Sequence, residues 1–196
     1  MKKLLLVASV TAAISLLNTA NAATNGTVNF SGKLNDQTCQ VVLNNGSSAS
    51  GSVTLPTVSK EKLSAKYNQA GRTPFTLKLT GCKASTTSFG VLAYFPETAY
   101  IEDAHNYGFL KNLETGATAA DGVMLTIYQK NGTTEKQINL GEPITDSGYQ
   151  YTTVAANATS VTMEYSVRYI NYRITGGTPV TAGKVKGIAV YELAYQ

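Results

Sequence analysis

Apolar and polar residues alternate with period two along much of this chain, the signature of strands that bury one face. Val28, Phe30, Gly32 and Leu34 share one face of the stretch Thr27 to Leu34, and Thr27, Asn29, Ser31 and Lys33 share the other. The same reading predicts strands over Thr38 to Leu43, Val53 to Leu55, Thr73 to Cys82, Phe89 to Phe95, Gly148 to Val154 and Ser160 to Ile170. In the last of these, Val161, Met163, Tyr165, Val167 and Tyr169 alternate with Thr162, Glu164, Ser166 and Arg168. Asn131-Gly132 between the runs Gly122 to Lys130 and Thr133 to Leu140 predicts a hairpin closed by a type I′ turn. A closing strand carries Val185, Gly187, Ala189, Tyr191, Leu193 and Tyr195 on one face. Ser59 to Tyr67 suits a helix or a single turn, and Glu97 to Ala120 is too mixed to assign. Short strands separated by turns, with little helical signal, predict an all-β sandwich.

The chain thus begins and ends on strands. A strand so close to an N-terminus frays unless a sheet holds it. Gly32 on its apolar face signals close approach of another backbone. The expectation is that the first strand completes the sheet of a neighbouring copy, beside that copy's last strand. The alternative is that both strands pair within one chain and close an ordinary sandwich; the alternation by itself leaves both open.

Residues Met1 to Ala22 read as a secretory signal, with Lys2 and Lys3, an apolar run from Leu4 to Leu17, and Ala20-Asn21-Ala22 before the cleavage point. That run is about 14 residues, short of the roughly 20 that span a bilayer. The formal net charge of +4 falls by two once Lys2 and Lys3 are removed, so the charge gives no reason to expect a nucleic-acid or anionic-membrane partner. Cys39 and Cys82 form an even pair in an exported chain, which argues for one disulfide. Such a bond would contribute roughly 4 kcal/mol in the chain-entropy model.

Candidate chemistry is sparse. The single histidine, His105, sits in a polar stretch and finds no sequence partner for general-base catalysis. One histidine and a paired cysteine couple do not make a zinc site, and the acidic residues fall in turns and on polar faces. No catalytic residue, metal or cofactor is expected. Tyrosine, at 12 residues, is abundant enough to raise sugar stacking as a second possibility, but Tyr165, Tyr169, Tyr191 and Tyr195 lie on apolar strand faces and read as core.

The segments GTVNFSGKL and NDQTC, the cysteine in LTGC and the ending GKVKGIAVYELAYQ together resemble the major pilins of chaperone-usher, type 1-like fimbriae. The resemblance spans the chain beyond the signal and is most specific at the two ends, where Gly183 stands fourteenth from the end and Tyr195 is penultimate. It implies an incomplete immunoglobulin-like sandwich lacking its last strand, completed by a donor strand from a neighbouring subunit. It implies a division into a signal over 1–22, a donor extension over 23–35 and a pilin domain over 36–196. Val28, Phe30, Gly32 and Leu34 would be the donor residues. Gly183, Val185, Gly187, Ala189, Tyr191, Leu193 and Tyr195 would line the acceptor groove, and the Gln196 carboxylate would anchor a chaperone. Cys39 and Cys82 would link the first and second strands of the domain. The implied function is a structural subunit of a surface fimbria, exported through the periplasm, with identical subunits head to tail, a periplasmic chaperone, an outer-membrane usher and a tip adhesin as partners. A minor tip pilin or a monomeric sugar-binding module is the alternative.

Overall fold

A computed structural model describes Asn29 and residues 36–196, apart from 84, 103–106, 146–147 and 174–178. The signal segment, the donor residues Val28, Phe30, Gly32 and Leu34, and His105 lie outside the described residues. The described residues from 36 onward belong to one unit, Asn35–Gln196.

The described chain is nearly all β, folded into two antiparallel sheets. The larger places β1 (Gln40–Leu43), β2 (Gln69–Thr80), β9 (Val161–Asn171), β6 (Val123–Asn131), β5 (Phe109–Leu110) and β4 (Ile101–Glu102) side by side in that order, with β7 (Thr134–Ile138) also pairing β6. The smaller places β10 (Glu192–Tyr195), β3 (Phe89–Tyr94) and β8 (Thr152–Val154) side by side. The sequence between Ser59 and Tyr67 makes only a 3-10 turn, Lys60–Leu63, begun by Ser59, whose side chain accepts from the Glu61 amide.

Period-two alternation decides which residues meet between the sheets. In β9 and β2 the inward sets oppose each other directly, Phe75 beside Tyr165 and Leu77 beside Met163, and such cross-strand pairs are what stabilises a sheet face. Val91 and Ala93 of β3 close over them, with Leu125 and Ile127 of β6, in one buried cluster. Tyr165 stacks on Phe75 at 5.3 Å and meets Phe95 edge-on at 6.1 Å. The disulfide Cys39–Cys82 joins the residue before β1 to a residue just beyond β2.

Four local expectations change. The hairpin at Asn131-Gly132 forms, with Asn131 opposite Thr134. Its two-residue turn is Gly132-Thr133, however, and the positive φ of 60° belongs to Gly132 alone. That is the type II′ arrangement, glycine first, rather than type I′. β2 begins at Gln69 instead of Thr73, because a register shift between Ala70 and Thr73 around Gly71, at φ 67°, carries the strand through a turn-like sequence. Val53 to Leu55 joins no strand ladder, although Val53 and Leu55 pack on the core. Of the closing stretch only Glu192–Tyr195 lies in a ladder; the residues before it border a cleft.

Candidate functional site: an apolar cleft at the sandwich edge

The cleft, of about 670 Å³, runs between two stretches of chain that do not pair with each other. One wall is Val41 and Leu43 of β1 and then Gly51, Val53 and Leu55. The other is Gly187, Ala189, Tyr191 and Leu193. Phe75, Leu77, Phe95, Leu110, Leu125, Ile127 and Val167 form its apolar floor. Glu192 is the one formally charged side chain in the lining.

The second wall is built by the stretch that leads into β10 and by the start of β10 itself. Gln196 and Gly90 exchange reciprocal main-chain hydrogen bonds at 3.1 and 3.3 Å, so the even-numbered residues of this strand turn their N–H and C=O groups toward β3. Adjacent residues of a strand direct these groups to opposite edges. Lys184 and Lys186, also even, bond to Thr118, Ala120 and Leu113. Among the described residues no main-chain hydrogen bond reaches the odd residues from Val185 to Tyr195, and none reaches Ile188 or Val190 between the two bonded stretches. Ile188 and Val190, 38% and 45% exposed, also border the cleft. The result is an apolar trench beside an unpaired strand edge, an arrangement that invites another strand.

Gly187 sets the depth at one end, since a Cβ there would lie 2.8 Å from Leu125 Cδ1. Farther along, the Tyr191 hydroxyl crosses the trench and donates to the Ala49 carbonyl at 2.8 Å, and burial pushes its pKa up. The phenol is thus held neutral and available as a donor.

The expected groove residues do not all sit in one place. Gly187, Ala189, Tyr191 and Leu193 line the cleft. Gly183 and Val185 line a second cavity of about 450 Å³, with Lys60, Glu114 and Lys184 around it. Tyr195 packs its ring 6.2 Å from Phe89 and its hydroxyl meets the Cys39 main chain; burial raises its pKa. Gln196 pairs with Gly90 at the end of β10. The opposite wall, Val41, Leu43, Gly51, Val53 and Leu55, was not among the sequence candidates. Alternation over 39–43 and 51–55 was its only signal in the sequence.

The polar clusters elsewhere are structural. Glu135 accepts from Arg72 at 2.6 Å and from Ser166 at 3.0 Å, and it also pairs with Arg168, whose guanidinium lies 4.0 Å from the centre of the Tyr128 ring. Arg72 holds the Glu135 carboxyl below its ordinary pKa. Among the described residues no group of three or more His, Cys, Asp or Glu side chains is placed to hold a metal ion.

Comparison with known proteins agrees with this geometry. Residues 28–196 match the family described as fimbrial protein. The chain is 33% identical to the F17 fimbrial protein of Escherichia coli over the full length of both. It is also 33% identical to a major fimbrial subunit of Stenotrophomonas maltophilia, over 90% of this chain and 95% of that one. In fold it is similar to a chain from a chaperone-usher pilus structure that reports on rod uncoiling, with a TM-score of 0.52 and 17% identity over 89% of this chain and 97% of the other. The immunoglobulin-like sandwich short of one strand, the cleft at its edge and the match along nearly all its length lead to one conclusion: the chain belongs to the fimbrial protein family, a family of structural subunits and not of enzymes.

Proposed function

We propose that this chain is a fimbrial subunit that polymerises head to tail by strand donation. Residues 23–35 of one copy, carrying Val28, Phe30, Gly32 and Leu34, fill the cleft of the next. The observation that supports this reading is the unpaired odd-numbered edge beside an apolar trench. Main-chain bonds along that edge would supply affinity, and the pockets between Leu43, Val53, Phe95 and Leu125 would take alternate side chains. Burying Val28, Phe30 and Leu34 would contribute roughly 1.5 to 3 kcal/mol each before ordering costs. Such a contact is heterologous and does not close, so repetition yields a filament.

In the same reading the first 22 residues are a removed signal and 36–196 are the pilin domain. A periplasmic chaperone shields the cleft and meets the Gln196 carboxylate, an outer-membrane usher exchanges it for the next subunit's extension, and a tip adhesin ends the surface fimbria. Gly183, Val185 and Tyr195 belong to the acceptor strand without lining the main cleft.

The test is heat unfolding of a chain beginning at Asn35, with and without a peptide covering Ala23 to Asn35. A ligand of the folded state alone must raise the midpoint. A clear rise that shrinks when Gly32 is replaced by leucine is expected. A chain that is equally stable without the peptide and does not bind it would refute strand donation.

A further inference from the structure

Asn112 lies in the tract from Glu97 to Ala120 that the sequence left without a role, and its side-chain amide is fully used. Its Nδ2 donates to the carbonyls of Ala120 at 2.8 Å and Lys184 at 3.1 Å. Its Oδ1 accepts from the amides of Glu114 at 3.1 Å and Lys186 at 3.0 Å. An amide offers two N–H donors and one oxygen with two lone pairs, so these bonds saturate it.

Two of the four bonds grip the chain immediately before the cleft wall. Main-chain bonds surround them: Leu113 N to the Lys186 carbonyl at 2.7 Å, Lys184 N to the Thr118 carbonyl at 2.8 Å, and Ala120 N to the Lys184 carbonyl at 2.9 Å. Gly183 permits this approach, because a Cβ there would lie 2.4 Å from Ala120 N. Every bond of the brace that reaches the closing segment goes to Lys184 or Lys186, both even-numbered. The brace thus holds that segment from the side away from the cleft and leaves its odd-numbered edge outward.

We infer that Asn112 is a positioning residue for strand acceptance, fixing Lys184 and Lys186 so that Gly187 to Leu193 present a preformed edge to the incoming strand; the inference rests on the strand-donation reading above. An edge held before binding spares the incoming strand the entropy of ordering it. Removing the brace should therefore slow assembly more than it lowers stability.

The chain from Ala23 is compared as wild type, Asn112→Ala, Asn112→Asp and Gln129→Ala. Gln129 is the control because it is a second side-chain amide clamp, itself buried, bonded to both main-chain groups of Gln150 at 2.6 and 2.9 Å, and lies outside the cleft lining. Asn112→Asp keeps the acceptor and sets a charge against the two carbonyls that the Nδ2 served. Filament growth is followed by light scattering and electron microscopy, and amide hydrogen exchange is read over 184–191 in the unassembled chain. Both Asn112 variants are expected to assemble about tenfold more slowly or worse and to exchange about tenfold faster over that span. Gln129→Ala is expected to melt lower but to assemble at the wild-type rate. Growth of Asn112→Ala within about twofold of wild type, or a loss in Gln129→Ala that tracks its melting point equally well, would overturn the positioning role. A wild-type chain that assembles equally well without residues 23–34 would overturn the strand-donation reading and this inference with it.

Discussion

Gly183 and Gly187 stand on the same face of the closing segment, yet alanine at the two positions should have different consequences. At Gly183 a Cβ would lie 2.4 Å from Ala120 N, 2.5 Å from Ala119 C and 2.7 Å from Ala119 O, all main-chain atoms that no rotamer can move. Restoring an ordinary contact requires the two strands to separate by about 1 Å. That separation breaks the bonds Lys184 N to Thr118 O and Ala120 N to Lys184 O, each contributing about 1 kcal/mol net. Overpacking adds about 1 to 3 kcal/mol, and the reduced freedom of the unfolded chain returns about 0.4 to 1 kcal/mol. Gly183→Ala should therefore cost about 3 kcal/mol, equivalent to about 6–12 °C for a domain of this size. At Gly187 the obstacle at 2.8 Å is Leu125 Cδ1, the free end of a side chain. There the strain of about 1 kcal/mol nearly cancels the gain in the unfolded state, and the midpoint should barely move. Heat unfolding of dilute chain from Ala23, followed by circular dichroism, measures both. Equal losses for the two variants, or a loss below about 1 kcal/mol for Gly183→Ala, would refute the argument that the 119–120 main chain is what forbids a side chain there.

Three further outcomes are expected. Reducing the Cys39–Cys82 bond, or replacing both cysteines by alanine, should cost about 2 to 5 kcal/mol in denaturant unfolding; no change on adding reductant would mean that the bond does not constrain the unfolded chain. Glu135 has its pKa lowered, first by its hydrogen bond from Arg72. A carboxylate with a depressed folded-state pKa contributes stability that is present above its unfolded value of 4.5 and lost as pH falls through its folded value. The stability gap between wild type and Glu135→Gln should accordingly be full at about pH 6 and shrink toward pH 3, and a gap independent of pH would refute the assignment. Tyr191→Phe removes the hydroxyl bond to the exposed Ala49 carbonyl, which water can then solvate, so urea unfolding should show a loss of only about 0.5 kcal/mol. A loss above about 2 kcal/mol would make that bridge a main support of the cleft wall.

Much of the fold was legible in single residues because period two is a local property. The set Val161, Met163, Tyr165, Val167 and Tyr169 that alternation picks out in β9 does face the main core, and the cysteine pair is joined as the even count suggested. Positive-φ glycines were legible only in part. Gly132 marked the hairpin, but which residue of the turn would carry the positive φ depended on the register of Asn131 against Thr134. Gly71 fell outside the predicted strand and proved to be a bulge within it, because tertiary pairing with β9 carries the strand on either side.

The cleft divides in the same way. Gly187, Ala189, Tyr191 and Leu193 were marked by alternation and by family resemblance, and they line it. The facing wall was invisible as a wall: Val53 and Leu55 look like any short strand until the fold leaves them without a neighbour. Asn112 carried no signal at all, since two of its four hydrogen bonds reach segments 72 and 74 residues away. The sequence by itself determined which residues of its clearest strands face inward and where the chain turns, because these follow from the chirality and pleat of the backbone. Only the tertiary structure decided which strand edge has no main-chain partner and which distant side chain braces it, because an edge is defined by the neighbours that the whole fold supplies.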